Sequence, residues 1–444
     1  MRSAPSLLRF VTACVLALAL ASCASLPAPE PRPVERAFSN PAATRLGRVV
    51  AESAPDAASS GVRLLVSGED ALGSLVTLAR HAERSLDLQY YIVRNDASAR
   101  TLLREIHDAA QRGVRVRMLV DDLNTAGSDE SLLCLTRHPN IALRLFNPLP
   151  AGRFSTWTRI LASLTDLERI NQRMHGKMFV ADNAIAATGG RNLGDEYFVR
   201  SPRSNFVDLD VLVAGPAVRE LSASFDRFWN DPLAYPVARV VRTQPDCTGP
   251  VSRSPQPTTD AHGVAQPAPD STVVPDSTLA RALRARRLRL EWVDVRVLAD
   301  TPEKIAPTAT PPPPESASIV AAPQVPESAS IAAEITRLLG AARRELILIT
   351  PYFVPGEHGV ALIRALRARG VRVRVLTNSL ASTDAPVVHV GYARYRPQLI
   401  DLGVELFELR NQLGTPRSQL GRFGSSQASL HAKAVIVDRE QVLV

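Results

Sequence analysis

Two stretches, "MHGKMFVAD" (174–182) and "LHAKAVIVD" (430–438), share one spacing: a His, a Lys two residues on, and an Asp five residues after that. The coincidence is sharp because lysine is scarce. The chain carries 52 Lys plus Arg, yet only Lys177, Lys304 and Lys433 are lysines. With 8 His in 444 residues, chance yields about 0.05 His-x-Lys pairs, so two of them point to chemistry and not to stray surface cations.

After each Lys the apolar residues alternate, with Met178 and Val180 in the first copy and Ala434 and Ile436 in the second. A period of two reads as a strand and sets His and Lys on one face of it. An imidazole beside a fixed ammonium suits a phosphate: the ammonium holds anionic oxygens while the neutral imidazole attacks phosphorus. A second, protonated imidazole can then donate to the leaving alcohol oxygen. Two copies therefore supply a nucleophile and an acid. No separate carboxylate group and no His/Cys cluster has metal-ligand spacing, so the expected reaction needs neither metal nor other cofactor.

Outward from the trios, the chain repeats itself. "SLDLQYYIVRNDASARTLLREIHDAAQRGVRVRMLVDD" (85–122) reads as a strand, a helix and a second strand. Asp96 is placed to cap the helix, Leu102, Leu103, Ile106 and Ala110 form its apolar stripe, and Gly113 ends it before Val114, Val116, Met118 and Val120 alternate. "ELILITPYFVPGEHGVALIRALRARGVRVRVLTNS" (345–379) follows the same order, closing its helix at Gly370. Gly113 precedes His175 by 62 residues (175 − 113) and Gly370 precedes His431 by 61 (431 − 370). Each trio thus ends an equivalent half. The counterpart of Asn192, ten residues past Asp182, would fall at 448 (438 + 10), so the second half is expected to be incomplete in this chain.

Composition bounds the remainder. With 444 residues and 45% hydrophobic content the chain can bury a sizeable core. A formal charge of +8 favours an anionic partner, nucleic acid or acidic lipid. Residues 1–23 have Arg2 and Arg9 before an apolar run, Phe10 to Ala21, too short to span a bilayer as a mature helix. Leu20-Ala21-Ser22-Cys23 resembles the bacterial lipobox, which implies lipidation of Cys23, with plain signal cleavage as the alternative. Residues 24–60 read as a linker, 61–242 as the first half and 331–444 as the second. Between the halves, 243–330 reads as a mostly disordered Pro/Ser/Ala-rich insertion with a partly ordered stretch at 279–304. Its Arg281, Arg284, Arg286, Arg287 and Arg289 could touch anionic headgroups or form a solvated helix face. Cys134 and Cys247 remain, and an exported location permits a disulfide.

These motifs resemble those of the phospholipase D superfamily, with its paired His-x-Lys-x4-Asp signatures. The first copy continues into "GGRN", matching that family's Gly-Gly/Ser-x-Asn with Gly190 and Asn192, and "LDLQYYIVRND", "VDDLNTAG" and "ITPYFVPG" are similar to the C-type cardiolipin synthases. The resemblance implies an α/β fold of two pseudo-twofold halves with the active site at their interface. It also implies phosphatidyl transfer: a phosphatidyl group passes to a histidine and then to the hydroxyl of phosphatidylglycerol, giving cardiolipin. By this resemblance His175 is the nucleophile and His431 the acid. Lys177, Lys433, Gly190 and Asn192 hold the phosphate, while Asp182 and Asp438 complete the trios in a role more structural than catalytic. Asp208, which the two-residue period sets on one face with Asp210, is expected to orient the attacking imidazole. The implied partners are phosphatidylglycerol, a donor that is phosphatidylglycerol or phosphatidylethanolamine, and a membrane surface reached through the lipid anchor at the periplasmic side of a bacterial envelope. Nucleic acid is not expected, because aromatic and basic residues do not interleave around the motifs. Phosphodiester hydrolysis and a non-catalytic envelope lipoprotein stand as alternatives.

Overall fold

A computed structural model describes residues 26–28, 30–125, 129–149, 173–241, 247, 258–259, 265–266, 276–305, 331–411 and 427–444. Cys23 and the Pro-rich run 306–330 lie outside them. The strands in chain order are β1 (Ser60–Leu65), β2 (Ser85–Tyr90), β3 (Arg115–Asp121), β4 (Ile141–Phe146), β5 (Met178–Ala181), β6 (Ile185–Gly189), β7 (Ser204–Val207), β8 (Asp210–Ala214) and β9 (Ala234–Pro236). They continue with the short pair β10 (Thr258–Thr259) and β11 (Ala265–Gln266), then β12 (Glu291–Val293), β13 (Glu345–Ile349), β14 (Arg372–Asn378), β15 (Glu405–Leu409), β16 (Gln427–Leu430), β17 (Ala434–Val437) and β18 (Gln441–Leu443).

One sheet runs β12-β1-β8-β6-β5-β2-β3-β4-β9 and another β15-β14-β13-β17-β18. The second sheet repeats the middle of the first. β2, β3 and β4 are parallel, as are β13, β14 and β15, and each set takes an antiparallel neighbour, β5 on β2 and β17 on β13. The crossovers repeat as well. Asp96 caps the helix Ala97–Gln111 by accepting from Ala99 N at 3.1 Å. That helix and Gly356–Ala368 both end on a left-handed glycine, Gly113 (φ 94°) and Gly370 (φ 81°). In each, the next residue's N–H returns to the last turn, Val114 to Ala109 O and Val371 to Leu366 O. That closing loop needs positive φ, which glycine adopts without strain. The stripe Leu102, Leu103, Ile106 and Ala110 packs against Val116, Met118 and Val120 in a core with no exposed member.

Part of the stretch read as a linker is folded, and so is a piece of the insertion. In the 24–60 stretch, the helix Arg45–Ser53 buries Leu46, Val49 and Val50 in the core of the first half, and Ala37 N donates to the Asp226 carboxylate at 2.8 Å. Within 243–330, a helix from Thr278 to Arg284 buries Leu279 and Leu283 against the same core, and β12 pairs with β1 at the sheet edge. That piece is an integral part of the first half. Arg281 and Arg284 pair with Asp276. Cys134 and Cys247 form a disulfide across a sequence separation of 113.

A third sheet joins the halves. β7 pairs in parallel with β16, Val207 opposite Leu430. This small sheet sets the two His-Lys segments relative to each other.

Candidate active site

Both His-Lys pairs lie just before a strand and not, as the two-residue period suggested, within it: His175 and Lys177 precede β5, and His431 and Lys433 precede β17. Antiparallel pairing sets them at the carboxyl ends of β2 and β13, with Gln89 opposite Met178 and Ile349 opposite Ala434. Each segment is anchored by the last residue of the neighbouring parallel strand. The Asp121 carboxylate accepts from Met174 N at 3.0 Å, and Asn378 Oδ1 accepts from Leu430 N at 2.8 Å while its Nδ2 donates to Leu430 O at 2.9 Å. Burial raises the Asp121 carboxyl to about 7 against the opposing charge of Arg173. Each Lys then folds back on its own His: Lys177 Nζ donates to His175 O at 2.8 Å and Lys433 Nζ to His431 O at 3.3 Å. Lys177 is buried, its ammonium 3.1 Å from His175 Nδ1, and the Tyr91 ring lies 4.7 Å from that imidazole.

The second histidine is held by the first half. His431 N donates to Val207 O at 2.8 Å, and His431 Nδ1 lies 2.6 Å from Asp208 Oδ2. The sequence reading attached Asp208 to the attacking histidine His175; the structure corrects this, because β7 delivers Asp208 to His431. Nor do Asp208 and Asp210 act as a pair. Asp208 falls between β7 and β8, whereas Asp210 turns to Arg191 (3.2 Å). Phe206 and Tyr197 flank the His431 ring at 5.0 and 5.6 Å.

The electrostatics follow from crowding cations around a centre where Lys177 and His431 are buried while His175 and Lys433 remain exposed. Loss of water, then the charges of Lys177, Lys433 and His431, push the His175 pKa down to about 3, so this ring is neutral at pH 7. Lys177 is lowered to about 7 by burial and by Lys433. Lys433 is also lowered by desolvation, with Asp208 and Asp384 opposing. An anion entering among these groups would relieve their mutual repulsion and favour their charged forms.

The other expected site residues divide. Asn192 is fully buried; Oδ1 accepts from Ile92 N at 3.0 Å, while Nδ2 makes no hydrogen bond of normal geometry although Tyr197 lies alongside. Gly190 acts sterically: a Cβ there would sit 2.0 Å from Asp208 Oδ1, so only glycine leaves room for the carboxylate. Asp182 and Asp438 face away from the cations. Asp182 accepts from the backbone N–H of Glu83, Arg84 and Ser85, and Asp438 from those of Arg343, Arg344 and Glu345. Each ties the turn after its strand to the start of β2 or β13. The sequence reading missed Arg191, which donates to Asp208 O (2.6 Å), Tyr197 O (3.0 Å), Leu65 O and Val66 O, and pairs with Asp210. An arginine set between Gly190 and the motif residue Asn192 was the available signal.

With the geometry in place, comparison with known proteins is decisive. Residues 75–229 and 335–444 match the family model described as cardiolipin synthase, phospholipase D-like domain. The chain belongs to this family. It is 36% identical over 378 residues to cardiolipin synthase C of Escherichia coli, covering 84% of this chain and 75% of that protein. It is 30% identical over 413 residues to an uncharacterized protein of Helicobacter pylori, covering 91% and 76%. The crystal structure of phosphatidylserine synthase from Haemophilus influenzae superimposes with a TM-score of 0.51 at 16% identity, over 86% of this chain and 77% of that one, which shows a shared fold. As a member of the family the chain is a phosphatidyltransferase of the phospholipase D superfamily, and its substrates are phospholipids.

Proposed function

We propose that the chain makes cardiolipin from phosphatidylglycerol and a second phospholipid through a phosphohistidine on His175. The observation that carries the role assignment is the contrast between the two imidazoles. His175 is solvent-exposed with the Lys177 ammonium 3.1 Å from its Nδ1, a cationic neighbour that disfavours its protonation as suits a nucleophile, while the buried His431 is fixed through Nδ1 by Asp208. A ring nitrogen of His175 attacks phosphorus, the bond from phosphorus to the donor's alcohol oxygen breaks, and His431 gives that oxygen its proton. In the second step His431 takes the proton from a phosphatidylglycerol hydroxyl, whose oxygen attacks phosphorus as the phosphorus–nitrogen bond breaks. Lys177, Lys433 and Asn192 hold the phosphate oxygens through both steps.

Water reaching the same intermediate would give hydrolysis instead. Incubation with labelled phosphatidylglycerol distinguishes the readings: labelled cardiolipin is expected, whereas phosphatidic acid alone would point to hydrolysis and an unchanged substrate to a non-catalytic lipoprotein. The donor is phosphatidylglycerol or phosphatidylethanolamine, and nucleic acid is not a substrate in this account. We place the protein at the periplasmic side of a bacterial envelope, anchored through lipidated Cys23. The Cys134–Cys247 disulfide supports an oxidising compartment. Cys23→Ser should abolish acyl-chain labelling, and labelling that persists would remove the anchor from the account.

A further inference from the structure

We infer that a rim on the second half, built from Val354, Leu380, Val387, Val390 and Arg394, seats on an anionic phospholipid bilayer and sets the cleft against the headgroups. The inference rests on the phosphatidyl-transfer reading. Topology brings the rim to the site. β13 and β14 are parallel, so the segments that follow them, 350–355 and 379–385, leave the sheet at the same end. That end holds the catalytic segment: Ile349 is opposite Ala434, next to Lys433, and Asn378 clamps Leu430, next to His431. Tyr352 donates its hydroxyl to Asp384 at 2.8 Å, joining the two segments, and the Asp384 charge acts on Lys433.

The side chains of this rim face water although they are apolar. Val387 is 85% exposed, Val390 63%, Leu380 62% and Val354 46%. Three of them are contiguous, and Leu380 lies in the segment that leads into their helix. Val387, Val390, Gly391 and Arg394 share one face of the helix Pro386–Asp401 by their three- and four-residue spacing. Val354 lies on that face, since a Cβ on Gly391 would meet its Cγ2 at 3.2 Å. Single exposed valines are ordinary; a cluster bordering a reaction centre marks a contact surface. Charge selects the occupant. Arg394 is exposed one turn beyond Val390 and makes no ion pair among the described residues, so an anionic surface would complement it. No helix among the described residues is long and apolar enough to cross a membrane, so the described fold must meet a bilayer-embedded substrate at its surface.

The test places a reporter on the rim of the full chain. Val390→Trp should be quenched by vesicles containing brominated phosphatidylglycerol beyond the quenching of the parent chain, and Arg394→Gln in that background should weaken the vesicle dependence. Leu380→Ser with Val387→Ser should raise KM for vesicle-borne phosphatidylglycerol about tenfold or more while leaving turnover of a water-soluble p-nitrophenyl phosphodiester unchanged. No added quenching, or equal loss on both substrates, would overturn the inference. So would self-association through this face, seen as sedimentation that reverts to monomer in the Leu380/Val387 variant. If the parent chain fails on the soluble diester while Val390→Trp is still quenched, the transfer reading fails and the docking surface stands.

Discussion

Asp208 and His431 are 223 residues apart in sequence and 2.6 Å apart in the structure, an acid from one half fixing the imidazole of the other. The pair makes the cleft a joint product of both halves. Neither half holds the pair alone.

Removing that carboxylate should therefore cost transfer more than stability. Asp208→Asn is expected to lower kcat on lipid by ~10²–10⁴-fold, with a much smaller loss on a p-nitrophenyl diester, whose leaving group needs little protonation. Gly190→Ala should reproduce this profile without touching either histidine, because its methyl would occupy the space of Asp208 Oδ1. Wild-type lipid turnover in Gly190→Ala would contradict the steric role.

The pH profile should carry the signature of Lys177. With its pKa near 7 in the free enzyme, its charge is lost as pH rises, so kcat/KM for a phosphodiester should fall above pH 7, approaching tenfold per unit. Lys177→Arg should abolish that limb. Stability should move the other way. The folded pKa lies below the ordinary 10.5, so the unfolded chain binds more protons between these values and this group's contribution to stability rises with pH from 7 to 10.5. Denaturant titrations at pH 7 and pH 10, compared with those of a Lys177→Met variant, check the sign.

Asp182 and Asp438 should behave as structural residues. Asp182→Ala leaves three backbone N–H groups without their acceptor, that of Ser85 buried and those of Glu83 and Arg84 part-buried, which should cost about 2 kcal/mol. Asp438→Ala should cost about 1 kcal/mol, because Arg343 and Arg344 lie where water can replace the carboxylate. Urea melts measure both. Activity per folded molecule should change little; a large kcat loss in a fully folded Asp182→Ala would return this residue to the catalytic set.

Much of this was legible in the residues themselves. Scarce lysines made the trios stand out, and Gly113 and Gly370 marked the repeat through local rules of helix termination. What escaped depends on contacts distant in sequence. The partner of Asp208 is set by the pairing of β7 with β16, and parallel pairing between remote segments leaves no periodicity to read. Residues 45–53 were hidden by Pro- and Ala-rich surroundings, yet Leu46 buries fully against the core. Arg191 looked like one more cation in an arginine-rich chain, and only its five acceptors reveal what it holds.

In the proposed mechanism His175 carries the phosphoryl group and His431 moves the proton. The most direct measurement reacts the His431→Ala chain with a radiolabelled p-nitrophenyl phosphodiester, followed by peptide mapping of the trapped enzyme at alkaline pH, where a phosphorus–nitrogen bond survives. Label on His175 is expected in His431→Ala and none in His175→Ala, with lipid turnover lost in both. Label on His431 in the His175→Ala chain would reverse the roles, and full lipid turnover by both single variants would contradict the two-histidine mechanism itself.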